Sequence, residues 1–188
     1  MRLYIGIDLP AVVKHSLYEA QMRLKKLGIE GSWKSPEYFH ITLEFFGELL
    51  PESIPALAEI VESVISEKQA FKLHVNELGA FPSFQRPNTI WAGVGGSTKK
   101  LDQLWMELHD ELIKNGFVLQ KLPFKPHISL ISRLKNSKAD LSSFSFGKPT
   151  KFTVSEVIVF ESKVVEGKRA YPALYRAKLK TGENTTLV

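Results

Sequence analysis

The chain has 188 residues, of which 44% are hydrophobic and 24% charged. That is the balance of an ordinary globular protein, so one domain or two closely packed lobes spanning 1–188 is expected rather than a disordered chain or a multidomain array. A net charge of +5 and a pI near 9.3 favour an anionic ligand. No apolar run reaches the roughly 20 residues of a membrane span, and the lack of cysteine excludes a disulfide framework, a thiol nucleophile and cysteine-ligated zinc, so a cytoplasmic monomer is expected.

Taken in chain order, residues 3–9 read as a first strand, not a signal peptide, because Asp8 interrupts the apolar run. Val13, Leu17, Ala20, Leu24 and Leu27 follow helical spacing, and Gly28 is a natural stop. Residues 39–47 read as a strand. Ile54, Leu57, Val61 and Val64 repeat the helical stripe after Pro51. Strands at 71–78 and 89–94 flank a loop at 82–87. Leu101, Leu104, Leu108 and Leu112 mark a third helix, with Ser97 or Thr98 as N-cap and Asn115-Gly116 as terminator. Strands at 127–132, 152–160 and 173–179 follow, with a Ser-rich loop at 136–149 and a small, polar tail at 181–188 expected to be disordered. The order β-α-β-α-β-β-α-β-β-β lacks the alternation of a doubly wound sheet. It suits an α+β fold with largely antiparallel sheets and helices packed outside.

One short pattern occurs twice. His40-Ile41-Thr42-Leu43 and His127-Ile128-Ser129-Leu130 share histidine, aliphatic, hydroxyl and leucine, 87 positions apart. Side chains alternate faces along a strand, so His40 and Thr42 share one face and Ile41 and Leu43 the other; His127 and Ser129 pair likewise. Each strand thus offers a greasy face and a polar face bearing one imidazole and one hydroxyl. Phe39 and Phe45 extend the apolar face of the first motif, and Phe46, which shares the parity of His40 and Thr42, is a candidate substrate contact able to stack on a base.

Opening a cyclic phosphodiester by attack of water requires that the water lose a proton and the departing alkoxide gain one. Imidazole titrates near pH 6.5, so two histidines on opposite sides of phosphorus can act as base and acid at one pH. The hydroxyls of Thr42 and Ser129 can donate to the non-bridging oxygens. Each motif supplies only one strong metal ligand, which argues against a metal site. His15, His74 and His109 read as surface or capping residues. Gly93 to Lys100 fails the spacing of a phosphate loop.

These motifs resemble the two-histidine phosphoesterase superfamily, and specifically its LigT-like RNA 2′,3′-cyclic phosphodiesterases. The opening Met1 to Pro10, the lead Trp33-Lys34-Ser35-Pro36-Glu37-Tyr38-Phe39, the exit Phe45-Phe46-Gly47-Glu48, the stretch Arg86 to Val94 and Phe124-Lys125-Pro126 extend the likeness to about Arg133. The resemblance implies two pseudo-symmetric lobes of antiparallel sheet with outer helices around a central cleft. It implies hydrolysis of an RNA 2′,3′-cyclic phosphate end to a 2′-phosphomonoester without metal or cofactor, with His40 as proton donor and His127 as acceptor. Related substrates are small cyclic nucleotides or ADP-ribose cyclic phosphate; the reverse reaction is a 2′-5′ RNA ligase; and an RNA-end-binding module is the non-catalytic reading. Two departures stand out. Ser129 replaces the usual threonine, and the basic residue usual five positions after the second histidine is Ser132, with Arg133 following. Arg133 shares strand parity with His127 and is the candidate phosphate contact.

Overall fold

The computed structural model describes residues 1–120, 123–136, 141 and 144–182. Lys138, other parts of the Ser-rich loop and residues 183–188 of the expected disordered tail lie outside the described residues.

The chain begins with β1 (Arg2–Asp8), whose Leu3, Ile5 and Ile7 are buried. Helix α1 (Ala11–Lys26) buries Val13, Leu17, Ala20 and Leu24, the stripe set by its spacing. A short strand, β2 (Glu30–Trp33), and a 3-10 turn (Pro36–Tyr38) lead into β3 (His40–Glu48). Next come α2 (Ser53–Ile65), β4 (Phe71–Phe81), β5 (Thr89–Gly96) and α3 (Thr98–Lys114), which buries Leu101, Leu104, Leu108 and Leu112. The rest is strand: β6 (His127–Asn136), β7 (Thr150–Val154), β8 (Glu156–Glu161), the pair β9 (Lys163–Val165) and β10 (Lys168–Ala170), and β11 (Ala173–Lys178). The expected strand at 152–160 is therefore two strands, because Ser155 is where the chain leaves one sheet for the other.

The fold is α+β, with two antiparallel sheets. One runs β11-β8-β1-β3 and the other β2-β6-β5-β4-β7; β9 and β10 form a separate ribbon. Helix α2 lies on β8 and β11 and is covered by α3, while α1 lies against β7 and the 3-10 turn. The apolar faces of both sheets meet these helices in one large core, where each fully buried Leu or Ile is worth about 1.5–3 kcal/mol. Neither sheet is continuous in sequence: the chain enters the first sheet with β1, the second with β2, the first again with β3, the second with β4 to β7, and the first once more with β8 and β11. The two motif strands, β3 and β6, touch across the divide.

Two irregularities in β3 reset its alternation. On β1, Gly6 pairs with Thr42 but Ile5 pairs with Glu44, so Leu43 is an extra residue; Phe46 is likewise skipped between Phe45 and Gly47. Only glycine permits the first of these, since a Cβ on Gly6 would lie 2.7 Å from the carbonyl oxygen of Ile41. Beyond the bulge, parity is reversed.

Candidate active site

Strict alternation would have carried Glu44 onto the same face as His40 and Thr42. The bulge at Leu43 turns it away instead. Glu44 is buried, accepting 2.7 Å from Trp105 Nε1 and 2.5 Å from His109 Nδ1, both on α3. His109, expected at the surface, is thus half-buried and holds a carboxylate. The same reversal corrects the reading of the phenylalanines: Phe45 faces the cleft, whereas Phe46 packs on the core and against Phe117, ring centroids 5.6 Å apart.

Between the sheets lies a cleft of about 320 Å³ whose lining includes both motif histidines and both motif hydroxyls: His40 and Thr42 from β3, His127 and Ser129 from β6. Four cations line it too, Arg2, Lys34, Arg133 and Arg169, together with Ser162 and the aromatic residues Tyr4, Tyr38, Phe45 and Tyr171. Among the described residues no carboxylate lines it. An adjoining apolar hollow of about 560 Å³, walled by Leu43, Phe81, Trp105 and Phe124, shares Thr42, Phe45 and His127 with the cleft.

The two imidazoles are fixed in the same way. His40 Nδ1 lies 2.8 Å from the carbonyl oxygen of Tyr38, and His127 Nδ1 lies 2.7 Å from that of Lys125, in each case two residues upstream. A carbonyl only accepts, so both Nδ1 atoms carry hydrogen, and Nε2 is the nitrogen left for chemistry. His40 stacks on Tyr4 at 4.7 Å and lies 5.7 Å from Tyr171 and 6.1 Å from Phe160. His127 meets Phe81 edge-on at 4.9 Å and Trp91 at 5.8 Å. Burial among these rings pushes His40 down to about 4, against the Tyr38 carbonyl and Asp8, which pull it up. Burial also lowers His127; the Lys125 carbonyl opposes this and the Lys125 ammonium, held 4.7 Å over Trp91, adds to it.

The cations press on one another. Burial lowers the Lys34 ammonium, and the charges of Arg169 and then Arg133 lower it further. Arg133 does reach the cleft, but not by simple parity. A bulge at Leu130, skipped between the Trp91–Ser129 and Ile90–Ile131 pairs, sends Ile131 into the core. A second kink follows, with Arg133 at φ 53°, opposite Gly31 of β2. A Cβ at Gly31 would sit 3.0 Å from the carbonyl oxygens of both Ser132 and Arg133, so glycine there gives the kink its room.

Sequence reasoning missed Arg2, Lys34, Tyr38, Ser162, Arg169 and Tyr171. Arg2 shares parity with Tyr4 on β1 and Lys34 precedes the first motif, so both carried a signal. Ser162 sits between β8 and β9, and Arg169 belongs to the β9–β10 ribbon, whose three-residue strands have exposed Val164 and Val165 and none of the alternation that marks a strand.

Comparison with known proteins gives a consistent picture. Residues 7–91 match the family described as LigT like Phosphoesterase. The chain is 30% identical over 186 residues to an RNA 2′,3′-cyclic phosphodiesterase of Thermotoga maritima, covering 97% of both proteins. It is 40% identical over 103 residues to one of Aeropyrum pernix, a match spanning 54% of this chain and 56% of that protein. In fold it is similar to E. coli LigT complexed with 3′-AMP, with a TM-score of 0.79 at 24% identity over 95% of this chain and 96% of the other.

Proposed function

The chain belongs to the LigT-like phosphoesterases, and from that premise we propose that it hydrolyses the 2′,3′-cyclic phosphate at the end of an RNA chain to a 2′-phosphomonoester, by acid–base catalysis with His40 and His127 and without metal. One observation carries the reading. Two imidazoles, each tied back through Nδ1, line a single cleft together with the hydroxyls of Thr42, Ser129 and Ser162, four cations and, among the described residues, no carboxylate. Such a lining suits an anion and repels a metal ion.

In this reaction His127 Nε2 takes a proton from water as the oxygen attacks phosphorus. The bond from phosphorus to the 3′ oxygen breaks, and His40 Nε2 gives its proton to that oxygen. Thr42 and Ser129 donate to the non-bridging oxygens, and Arg133 supplies the compensating charge. The acid must carry a proton, yet burial holds His40 near 4. Arrival of the phosphodiester anion reverses that balance, because a negative charge beside imidazole raises its pKa. Protonation of the acid is thereby coupled to substrate binding. The hollow walled by Trp105 and Phe124 gives a nucleobase an apolar surface beside the phosphate.

Among the described residues no helix is long and apolar enough to cross a membrane. We place the protein in the cytoplasm as a monomer whose single domain spans 1–188; the interleaving of the chain between the sheets supports one domain. The test is a short RNA ending in a 2′,3′-cyclic phosphate, incubated with the protein in EDTA. Appearance of the 2′-phosphate, lost with His40→Ala and with His127→Ala, is expected. Binding without turnover would sink the proposal in favour of an RNA-end-binding module, and joined RNA as the main product would point to a ligase.

A further inference from the structure

The cleft holds more positive charge than one cyclic phosphodiester, with its single negative charge, requires. Two of its four cations, Arg2 and Arg169, gather around Ser162. Along β1, Arg2 is four residues from Gly6, the partner of Thr42, which places its row about 13 Å away along the sheet. Ser162 lies beside it, its backbone N–H donating 2.7 Å to the carbonyl oxygen of Arg2. Arg169, brought in by the β9–β10 ribbon, donates through Nη1 to Ser162 Oγ at 3.0 Å, which leaves the hydroxyl's own hydrogen to give. Arg2 is steadied over the Phe45 ring at 5.2 Å. The nearby carboxylates are engaged elsewhere, Glu161 with Lys163 at 3.1 Å and Glu48 with the Met1 amino group at 3.5 Å.

We infer that Arg2, Ser162 and Arg169 form a second anion subsite, which takes the phosphate on the 5′ side of the nucleotide bearing the cyclic phosphate. The inference rests on the phosphodiesterase reading and narrows its substrate class: an RNA chain or a 5′-phosphorylated nucleotide, in preference to a nucleoside 2′,3′-cyclic phosphate. A guanidinium pair with a donating hydroxyl is a phosphate-binding set. The mutual repulsion felt at Lys34 is what a cleft filled by two phosphates would relieve.

The experiment compares kcat/KM for one nucleoside 2′,3′-cyclic phosphate with and without a 5′-phosphate. The parent protein should favour the 5′-phosphorylated substrate by roughly 10-fold or more, the usual strength of charge-assisted contacts. That ratio should fall toward one in Arg169→Gln and in Arg2→Gln and persist in Lys163→Gln. In parallel, calorimetry measures binding of a nucleoside 2′-monophosphate against the 2′,5′-bisphosphate, a comparison that needs no turnover. Equal affinities there, or a ratio near one in the parent, or variants that weaken both substrates alike, overturn the subsite. Failure to hydrolyse either substrate, with the bisphosphate still bound more tightly through Arg169, would overturn the phosphodiesterase reading and leave the subsite standing.

Discussion

The two histidine strands carry nearly the same tetrapeptide and the same anchoring hydrogen bond, yet they sit in unlike surroundings. His40 is wedged between Tyr4 and Tyr171, with Lys34 and His127 adding to the effect of burial. His127 is flanked by Phe81 and Trp91, and burial and the Lys125 ammonium lower it. A repeated motif therefore sets geometry, and the non-repeated neighbours set protonation. The difference in environment between two identical side chains comes from residues outside the motif.

The most severe way to probe this comparison is to remove each ring. His40→Ala and His127→Ala should each lower kcat on the RNA cyclic phosphate by about 10²–10⁴. A 4-nitrophenyl phosphodiester, whose leaving group needs no proton, should recover most of the loss in His40→Ala and none in His127→Ala; recovery in the opposite variant would exchange the roles. Next come the hydroxyls. Thr42→Val and Ser129→Ala should lower kcat by up to about 10² with little change in KM, as expected of donors that matter most in the transition state.

Protonation itself gives the third test. A His40 pKa of about 4 in the folded protein, against about 6.5 unfolded, favours the neutral folded form. Its stabilising contribution is complete above pH 6.5 and is lost as pH falls toward 4. Chemical denaturation at pH 7 and 4.5 should show His40→Gln losing about 2–3 kcal/mol less than the parent over that interval, on the scale of about 1.4 kcal/mol per pKa unit. With substrate bound, the alkaline limb of kcat should lie at higher pH than that of kcat/KM, because the anion raises the acid.

Smaller effects sharpen the contrast between motif and support. His109→Ala removes a donor from buried Glu44 and should lower unfolding free energy by about 1–3 kcal/mol. Tyr4→Phe deletes a buried hydroxyl that has no hydrogen-bond partner among the described residues, and should leave stability unchanged or raise it by up to about 1 kcal/mol in thermal denaturation.

The helices and seven of the strand regions were legible because their apolar periods are regular, and the histidines and hydroxyls because each motif opens a strand before any irregularity intervenes. Legibility failed where alternation failed. The bulge at Leu43 exchanges Phe45 for Phe46 and hides Glu44, and it is written in the closeness of Gly6 to Ile41, a contact between strands and not a pattern within one. Arg133, expected to share the face of His127, does line the cleft, but two departures from the ladder, not unbroken alternation, bring it there. The strand β2, Glu-Gly-Ser-Trp, has no apolar run of its own and pairs because β6 offers an edge.

The weaving of the chain between its sheets has a consequence for how the protein is made. β1 is hydrogen-bonded on both edges, to β3 and to β8, and β8 follows it by nearly 150 residues. At about 5–20 residues per second, a ribosome leaves one edge of the nascent β1 unpaired for on the order of 10–30 s. During that time His40 lacks Phe160 and Tyr171, whose rings lie 6.1 and 5.7 Å from it in the folded protein, and so lacks part of the burial that lowers its pKa. Catalytic tuning is the last property this polypeptide acquires, and an open strand edge awaiting a chaperone or a neighbouring chain is the hazard it carries until then.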